Sequence, residues 1–486
     1  MSGHRPTEVK KRKVQHVIGV PSPTPDAPEE EEVRRRQLHV VRDSLLHTGS
    51  GFGNYRGLLN WLLLLLILSN SRLALDNLIK YGILIDPVQW LSVFWEDPYR
   101  WPCTMLLLGT SVFVQMMYCT ELLAEKRYLS SSVAAFLQRL QLFNLLLFPS
   151  VGVNIVKTNP FAAMLVMVTY TVLFMKLWSY SDVNRWCRLE REKSQSPKKT
   201  QATKKPKASS KSEVADKPVT DEKDHPLVKY PDNLNITDLW YFIVAPTLCY
   251  ELNFPRSPRI RKRFLMRRSI EVVVLGNVLL GLGQQWLVPT IMNSMETFIE
   301  MSYSRMVERI LKLAIPNHLL WLVFFYWFFH AFLNVTAELL RFGDRQFYKD
   351  WWNAGSMERF WSTWNIPVHK FARRHIYQPL MEEGFSRITA TVVVFLVSAF
   401  FHEFLVSVPL SMFRTWAFIG MALQIPTSLF CSHVLGGGNW GNVVMWLSLI
   451  LGQPIAALMY VHDYLILQGL LGPNAAVNSS DPGATS

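Results

Sequence analysis

Cysteine is scarce in this chain: five in 486 residues, at positions 103, 119, 187, 249 and 431. An odd, scattered set with no CxxC and no Cys/His cluster implies neither a disulfide framework nor a zinc site. No GxSxG elbow is present, and no cysteine stands beside a histidine with a third orienting group. Covalent catalysis through serine or cysteine therefore has no support. Gly436-Gly437-Gly438 lacks the Lys-Ser/Thr of a phosphate loop and reads as packing or a helix break. The first 50 residues contain no apolar stretch of the signal-peptide kind. They are polar, with Glu29–Glu32 followed by Arg34–Arg36, and are expected to form a partly disordered cytosolic arm over 1–56. The first membrane span is then expected to act as the signal anchor.

Charge is also low, at 18% of residues, whereas half of the chain is apolar. The apolar residues gather in runs long enough to cross a bilayer. Candidate spans fall at 57–84, 101–123, 131–151, 160–180, 269–291, 310–336, 388–410, 413–432 and 441–467, which predicts an all-α, polytopic transmembrane protein of about nine spans. The formal charge of +13 is uneven: Lys and Arg crowd 185–229, 256–268 and 349–387. The positive-inside rule puts all three clusters on the cytosolic face, and span parity agrees. Such charges set topology, so nucleic-acid binding is not expected. Four spans occupy 57–180 and a basic, largely disordered linker 181–235. The five-span core follows over 236–471, with a short lumenal tail at 472–486. Of three N-x-S/T patterns only Asn478-Ser479-Ser480 falls on the expected lumenal side. The aromatic stretch Leu239–Leu252 is short for a span and reads as interfacial. The two prolines of Asn253-Phe254-Pro255-Arg256-Ser257-Pro258-Arg259 make a loop whose arginines suit anionic head groups, a phosphorylated cofactor, or topology alone.

Within this apolar background a few polar residues stand out. The run Ile388–Leu410 would rise about 34 Å as a helix, with His402 ~21 Å from its start. An ionisable group inside lipid is costly unless it faces protein or water, so it marks a functional site by default. His402 shares a helix face with Ser398 and Val406. Glu403, turned about 100° away, is expected to hold a neighbouring helix or the polar end of a substrate. A neutral imidazole suits a general base near neutral pH. Gln424, Gln453 and the pair His462-Asp463 add buried polar groups that can bridge helices or steady an oxyanion. Between the sixth and seventh spans, 347–353 and 360–371 alternate aromatics with amides and imidazoles, as in amphipathic elements at an interface or at the mouth of a chamber. A base with donors in a lipid-accessible chamber fits acyl transfer onto a lipid, and equally a proton-coupled transporter.

The heptad Phe347-Tyr348-Lys349-Asp350-Trp351-Trp352-Asn353 and the segment Ser398–Pro409 (SAFFHEFLVSVP) resemble signatures of the membrane-bound O-acyltransferase superfamily, in its sterol and diacylglycerol acyltransferase branch. The stretches Ser50–Gly57, Asn253–Phe264 and Asn365–Lys370 resemble the diacylglycerol side of that branch, and the likeness covers nearly all of the chain after residue 40 outside the linker. The resemblance implies that family's fold, with His402 as catalytic base and Asn365 and Gln453 as catalytic donors. It implies that His369, Glu403 and Gln424 line an intramembrane chamber, and that Trp364, Tyr377 and Arg387 meet acyl-CoA from the cytosol. Phe347, Tyr348, Asp350, Trp351, Trp352 and Asn353 are implied in substrate binding. Long-chain acyl-CoA is the implied co-substrate and diacylglycerol the acceptor, with sterol as the alternative. No bound cofactor and no metal are expected. The endoplasmic reticulum membrane, a cytosolic N-terminus, contact with membrane lipid and a homodimer or homotetramer complete the implied picture.

Overall fold

A computed structural model describes residues 56–86, 102–156, 158–195, 227–299 and 303–468. The expected N-terminal arm, the motif at Ser50–Tyr55, the middle of the linker and the tail after 471 lie outside the described residues. Residues 1–72 and 73–486 form separate units. The described part of the first is the opening of helix α1 (Arg56–Tyr81), where the first span is expected.

In the second unit the apolar runs fold as helices, since in lipid only internal hydrogen bonding satisfies the backbone. These are α2 (Pro102–Glu125), α3 (Ser131–Val156) and α4 (Pro160–Gln195), then the short α5 (Ile236–Val244). Helix α6 (Lys262–Leu282) passes through a wide π turn, Gly283–Leu287, into α7 (Val288–Ile299). Helix α8 (Tyr303–Phe325) likewise passes through Tyr326–Phe332 into α9 (Leu333–Leu339). Next come α10 (Met357–Thr363) and α11 (Ile366–Ala372), the latter joined through the π turn Arg373–Tyr377 to α12 (Gln378–Glu382). Then follow α13 (Arg387–Ser407), α14 (Trp416–Ala422), α15 (Gln424–His433) and α16 (Gly438–Leu467). Among the described residues seven helical runs are long and apolar enough to cross a membrane, and no strand forms. Their outward faces stay apolar: Met105, Leu108, Val112 and Met116 of α2 are all exposed at helical spacing, as a lipid-facing stripe requires.

Three differences from the sequence expectations have local causes. Residues 413–432 form two short helices, because Pro426 has no N–H for the carbonyl of Ala422 and the winding breaks at Leu423. Helix α4 runs on to Gln195 instead of yielding to a linker at 181. Its polar extension is held by tertiary partners: the Arg188 guanidinium binds the carboxylate of Glu121, which also accepts from Gln138 Nε2 at 2.8 Å and Tyr230 OH at 3.3 Å. Helix α5 packs inward, with Leu239 and Phe242 fully buried. The buried Lys176 ammonium donates to the carbonyls of Phe242 (2.9 Å) and Ala245 (2.6 Å), satisfying the free end of α5.

The apolar core has three parts. One joins α2, α3, α4 and α5 around Tyr170, Tyr180 and Tyr250. A second gathers Phe325, Phe329, Trp351, Phe360 and Met445. A third packs Met295 and Leu313 on Leu458 and Leu465 of α16. Helix α16 starts on the backbone of the loop at 352–355: Asn442 Nδ2 donates to the carbonyls of Trp352 (3.0 Å) and Ala354 (2.8 Å). A Cβ on Gly441 would stand 2.2 Å from the Gly355 carbonyl oxygen. Gly441→Ala is therefore expected to cost about 1–3 kcal/mol, read as a lower thermal midpoint of the purified protein.

Candidate active site

The site is built outward from α13. Its start is fixed by Ser386, whose hydroxyl oxygen accepts from Thr389 N at 3.1 Å, and Pro409 stops it two residues after its end. His402 Nδ1 lies 2.8 Å from the carbonyl oxygen of Ser398. A carbonyl only accepts, so Nδ1 carries the hydrogen and Nε2 keeps a free lone pair. Nε2 has no hydrogen-bond partner among the described residues, and the residue is exposed.

Glu403 points elsewhere, as its place on the helix predicts. One carboxylate oxygen accepts from the Ser407 hydroxyl; the other accepts from Phe418 N at 3.0 Å and Tyr460 OH at 2.7 Å. It thus ties α13 to α14 and α16. Asp463, one turn further along α16, accepts from Trp416 Nε1 and Arg414 Nε, both at 3.0 Å, and reinforces the tie. Two turns before Tyr460, about 10 Å along α16, the same face carries Gln453. Its Oε1 accepts from Asn317 Nδ2 of α8 at 3.2 Å. Pro454 and Pro316 sit beside these amides and leave the carbonyls one turn back without their helical donors. Helix α16 is thereby tied by polar side chains to α13 near Tyr460 and to α8 near Gln453.

The other expected site residues divide by place. Asn365 caps α11: its Oδ1 accepts from Val368 N at 3.3 Å. Trp364 lies parallel to Phe360, with centroids 6.1 Å apart, and edge-on to Phe329. Half-buried His369 projects from α11, and Tyr377 ends the π turn beyond it. Arg387 is exposed at the first turn of α13. Gln424 opens α15, and its Oε1 is buried without a partner. In the heptad, Phe347 and Trp351 are each 2% exposed and pack in the aromatic core. Tyr348 OH meets His330 Nδ1 at 2.8 Å, and Asp350 lies 3.7 Å from Arg359. Trp352 and Asn353 are exposed. The role visible for Phe347 and Trp351 is packing: they hold the heptad against α8 and α16. Among the described residues no group of three His, Cys, Asp or Glu side chains is placed to hold a metal ion.

Burial, with the Arg373 charge second, holds the His369 imidazolium below its ordinary pKa. A histidine depressed on folding adds stability that is complete above its unfolded value, about 6.5, and is lost as the pH falls through the lower folded value. His369→Gln is expected to flatten that acid limb, measured as thermal midpoint against pH.

Two features escaped the sequence. His318 on α8 is wedged between Trp321 and Trp446, and neither ring nitrogen has a partner. His375 forms a buried relay: Nδ1 to Asp182 at 3.0 Å and Nε2 to Ser179 Oγ at 2.8 Å. The set has the order of a serine–histidine–aspartate triad. However, Ser179 is fully buried and its oxygen also accepts from Tyr250 N at 2.8 Å, so no substrate reaches it. It is a brace between α4 and the π turn after α11. Ser179 and Asp182 share a helix face at i, i+3, but their partner lies 193 residues from Asp182, beyond any local signal.

Residues 152–462 match the family of membrane-bound O-acyltransferases. The chain belongs to this family. It is 52% identical over 450 residues to diacylglycerol O-acyltransferase 1 of Chlorocebus aethiops, covering 92% of this chain and 88% of that one. It is 51% identical over 432 residues to the Homo sapiens protein of the same name, covering 89% and 85%. The Dictyostelium discoideum protein of that name is 35% identical over 438 residues, covering 90% and 67%.

Proposed function

We propose that this chain transfers the acyl group of a long-chain acyl-CoA to the free hydroxyl of 1,2-diacylglycerol, giving triacylglycerol and CoA, with His402 as general base. The observation that carries the mechanism is the His402 tautomer, with Nδ1–H held by the Ser398 carbonyl and Nε2 open. The names of the relatives supply the substrate class. Nε2 takes the hydroxyl proton as that oxygen attacks the thioester carbonyl. The carbon–sulfur bond then breaks, and the same nitrogen returns its proton to the leaving thiolate.

The developing oxyanion needs donors, and two amides have NH₂ groups left to give. Asn365 spends its Oδ1 on Val368 N, and Gln453 its Oε1 on Asn317, so each presents its NH₂ group. In this reading His369, Glu403 and Gln424 belong to the chamber walls, Glu403 acting by holding α14 and α16 in place. Trp364, Tyr377 and Arg387 meet CoA arriving from the basic, cytosolic side, and Tyr348, Asp350, Trp352 and Asn353 lie along its approach. Diacylglycerol enters laterally from the bilayer. The protein is placed in the endoplasmic reticulum membrane with its N-terminus cytosolic, as a homodimer or homotetramer.

The test is purified full-length protein with labelled oleoyl-CoA and diacylglycerol, following triacylglycerol and free thiol together. Matched release of both is expected. Thiol release that follows added sterol instead of diacylglycerol would transfer the assignment to sterol acylation. Proton flux in sealed vesicles without CoA release would point to a transporter and end the acyl-transfer reading.

A further inference from the structure

An open cavity of about 350 Å³ lies away from α13, where α6 begins and α9 ends, lined by Ser257, Pro258, Arg259, Arg261, Gly343 and Arg345. That volume is room for about a dozen waters. Both helices are parts of membrane-crossing runs that end here, so the cavity opens at the level of the bilayer surface.

Its rim is firmly built. Ser257 N donates to Arg341 O and Gly343 N to Pro255 O, both at 2.7 Å, forming a small antiparallel clasp. The Arg341 guanidinium locks the same loop through the carbonyls of Ser257 (3.0 Å) and Pro258 (2.9 Å). Gly343 lets the two sides of the clasp approach closely: a Cβ there would stand 3.0 Å from the Pro255 carbonyl oxygen and push it back by a few tenths of an ångström.

The cavity is short of negative charge. Arg259, Arg261 and Arg345 contribute three guanidinium groups. One fully buried carboxylate, Glu338, answers two of them: it accepts from Arg261 Nη2 at 2.9 Å and from Arg345 Nη1. Asp344 is engaged by Lys370 at 2.7 Å. Arg259 has no partner among the described residues. Two further polar atoms in the cavity wall, Ser257 Oγ and Arg345 Nη2, are buried and unpartnered. Buried donors are rarely left unmade, so these two atoms lack acceptors, while the exposed Arg259 guanidinium is left for a ligand in the cavity. Phe264 extends the site toward the bilayer, beneath the guanidinium groups of Arg261 (4.4 Å) and Arg345 (5.7 Å).

We propose that this cavity binds a phosphate group, as a monoester or diester. A tetrahedral oxyanion offers several acceptors at once, which is what forked guanidinium donors and a hydroxyl on a fixed rim require. Two sources carry that group here: a phospholipid head at the membrane surface and a soluble phosphate from the aqueous side.

The experiment uses full-length protein in phosphatidylcholine nanodiscs, with phosphatidic acid as the lipid probe and adenosine 3′,5′-bisphosphate as the soluble competitor. Arg259→Gln is expected to weaken phosphatidic acid binding by about tenfold or more, the size of one hydrogen bond to a charged group. Ser257→Ala weakens it less, and binding by the unaltered protein falls as salt rises. Thermal midpoints of both variants are checked so that unfolding is not mistaken for lost affinity. Displacement by the bisphosphate assigns the cavity to soluble phosphate; variant-sensitive binding that resists displacement assigns it to the lipid head. Binding of neither probe, or binding by both variants equal to that of the unaltered protein, overturns the proposal. So does an equal loss on Arg267→Gln, an exposed arginine outside the cavity, because the attraction would then be general.

Discussion

His402→Ala is expected to lower triacylglycerol formation by about 10²–10⁴-fold while leaving the thermal midpoint close to that of the unaltered protein. The ring's one hydrogen bond is to a carbonyl within its own helix, so its removal unpins no neighbouring element. The KM for acyl-CoA is expected to move little, because proton removal belongs to the transition state and not to donor binding. His402→Gln sharpens the test: its amide can still reach the Ser398 carbonyl but offers no base near neutral pH. Both variants are assayed with labelled oleoyl-CoA and diacylglycerol, with free thiol measured in the same samples. Turnover retained by the glutamine variant would remove His402 from proton transfer.

The second large effect is structural. Glu121→Ala is expected to destabilise the protein by about 3–5 kcal/mol, the penalty for leaving one member of a buried ion pair behind. The Glu121 side chain has no exposure and that of Arg188 only 5%. The guanidinium already has Nε and Nη2 unpartnered, so the carboxylate is its main compensation. The loss also strands Gln138 and Tyr230, which bind the same carboxylate from α3 and from the segment before α5. The double change Glu121→Leu, Arg188→Met is expected to recover most of the stability, since two apolar side chains leave nothing charged to solvate. Tryptophan fluorescence during heating in detergent distinguishes the two. A single variant as stable as the parent would show that the pair contributes nothing.

The spans were legible because hydrocarbon thickness and backbone satisfaction leave few alternatives to a long apolar helix. His402 stands out in the sequence for a related reason: an imidazole among phenylalanines has to be explained. The turn of Glu403 away from it also followed from helical geometry, and Tyr460 and Phe418 N are the partners it reaches. Pairings between distant segments were not legible. Nothing near Gln453 names Asn317, which is 136 positions away, and nothing near Ser179 names His375. The continuation of α4 past 181 was hidden because a charged run looks the same whether water or a buried counter-charge receives it. The heptad misled in part: its aromatic rings attract attention as contact residues, yet Trp351 is enclosed by Trp321, Phe325 and Phe360.

The wide turn at Tyr326–Phe332 bears on how this chain tolerates insertions and deletions. Deleting one residue there would restore ordinary winding and leave the downstream helix in register, because seven residues of a wide turn cover about as much rotation as six of an α-helix. A deletion in α8 or α9, where the winding is already ordinary, would instead swing Glu338 away from Arg261 by about 100°, although neither side chain had changed. A one-residue gap is therefore better absorbed in the wide turn than in the helices that flank it.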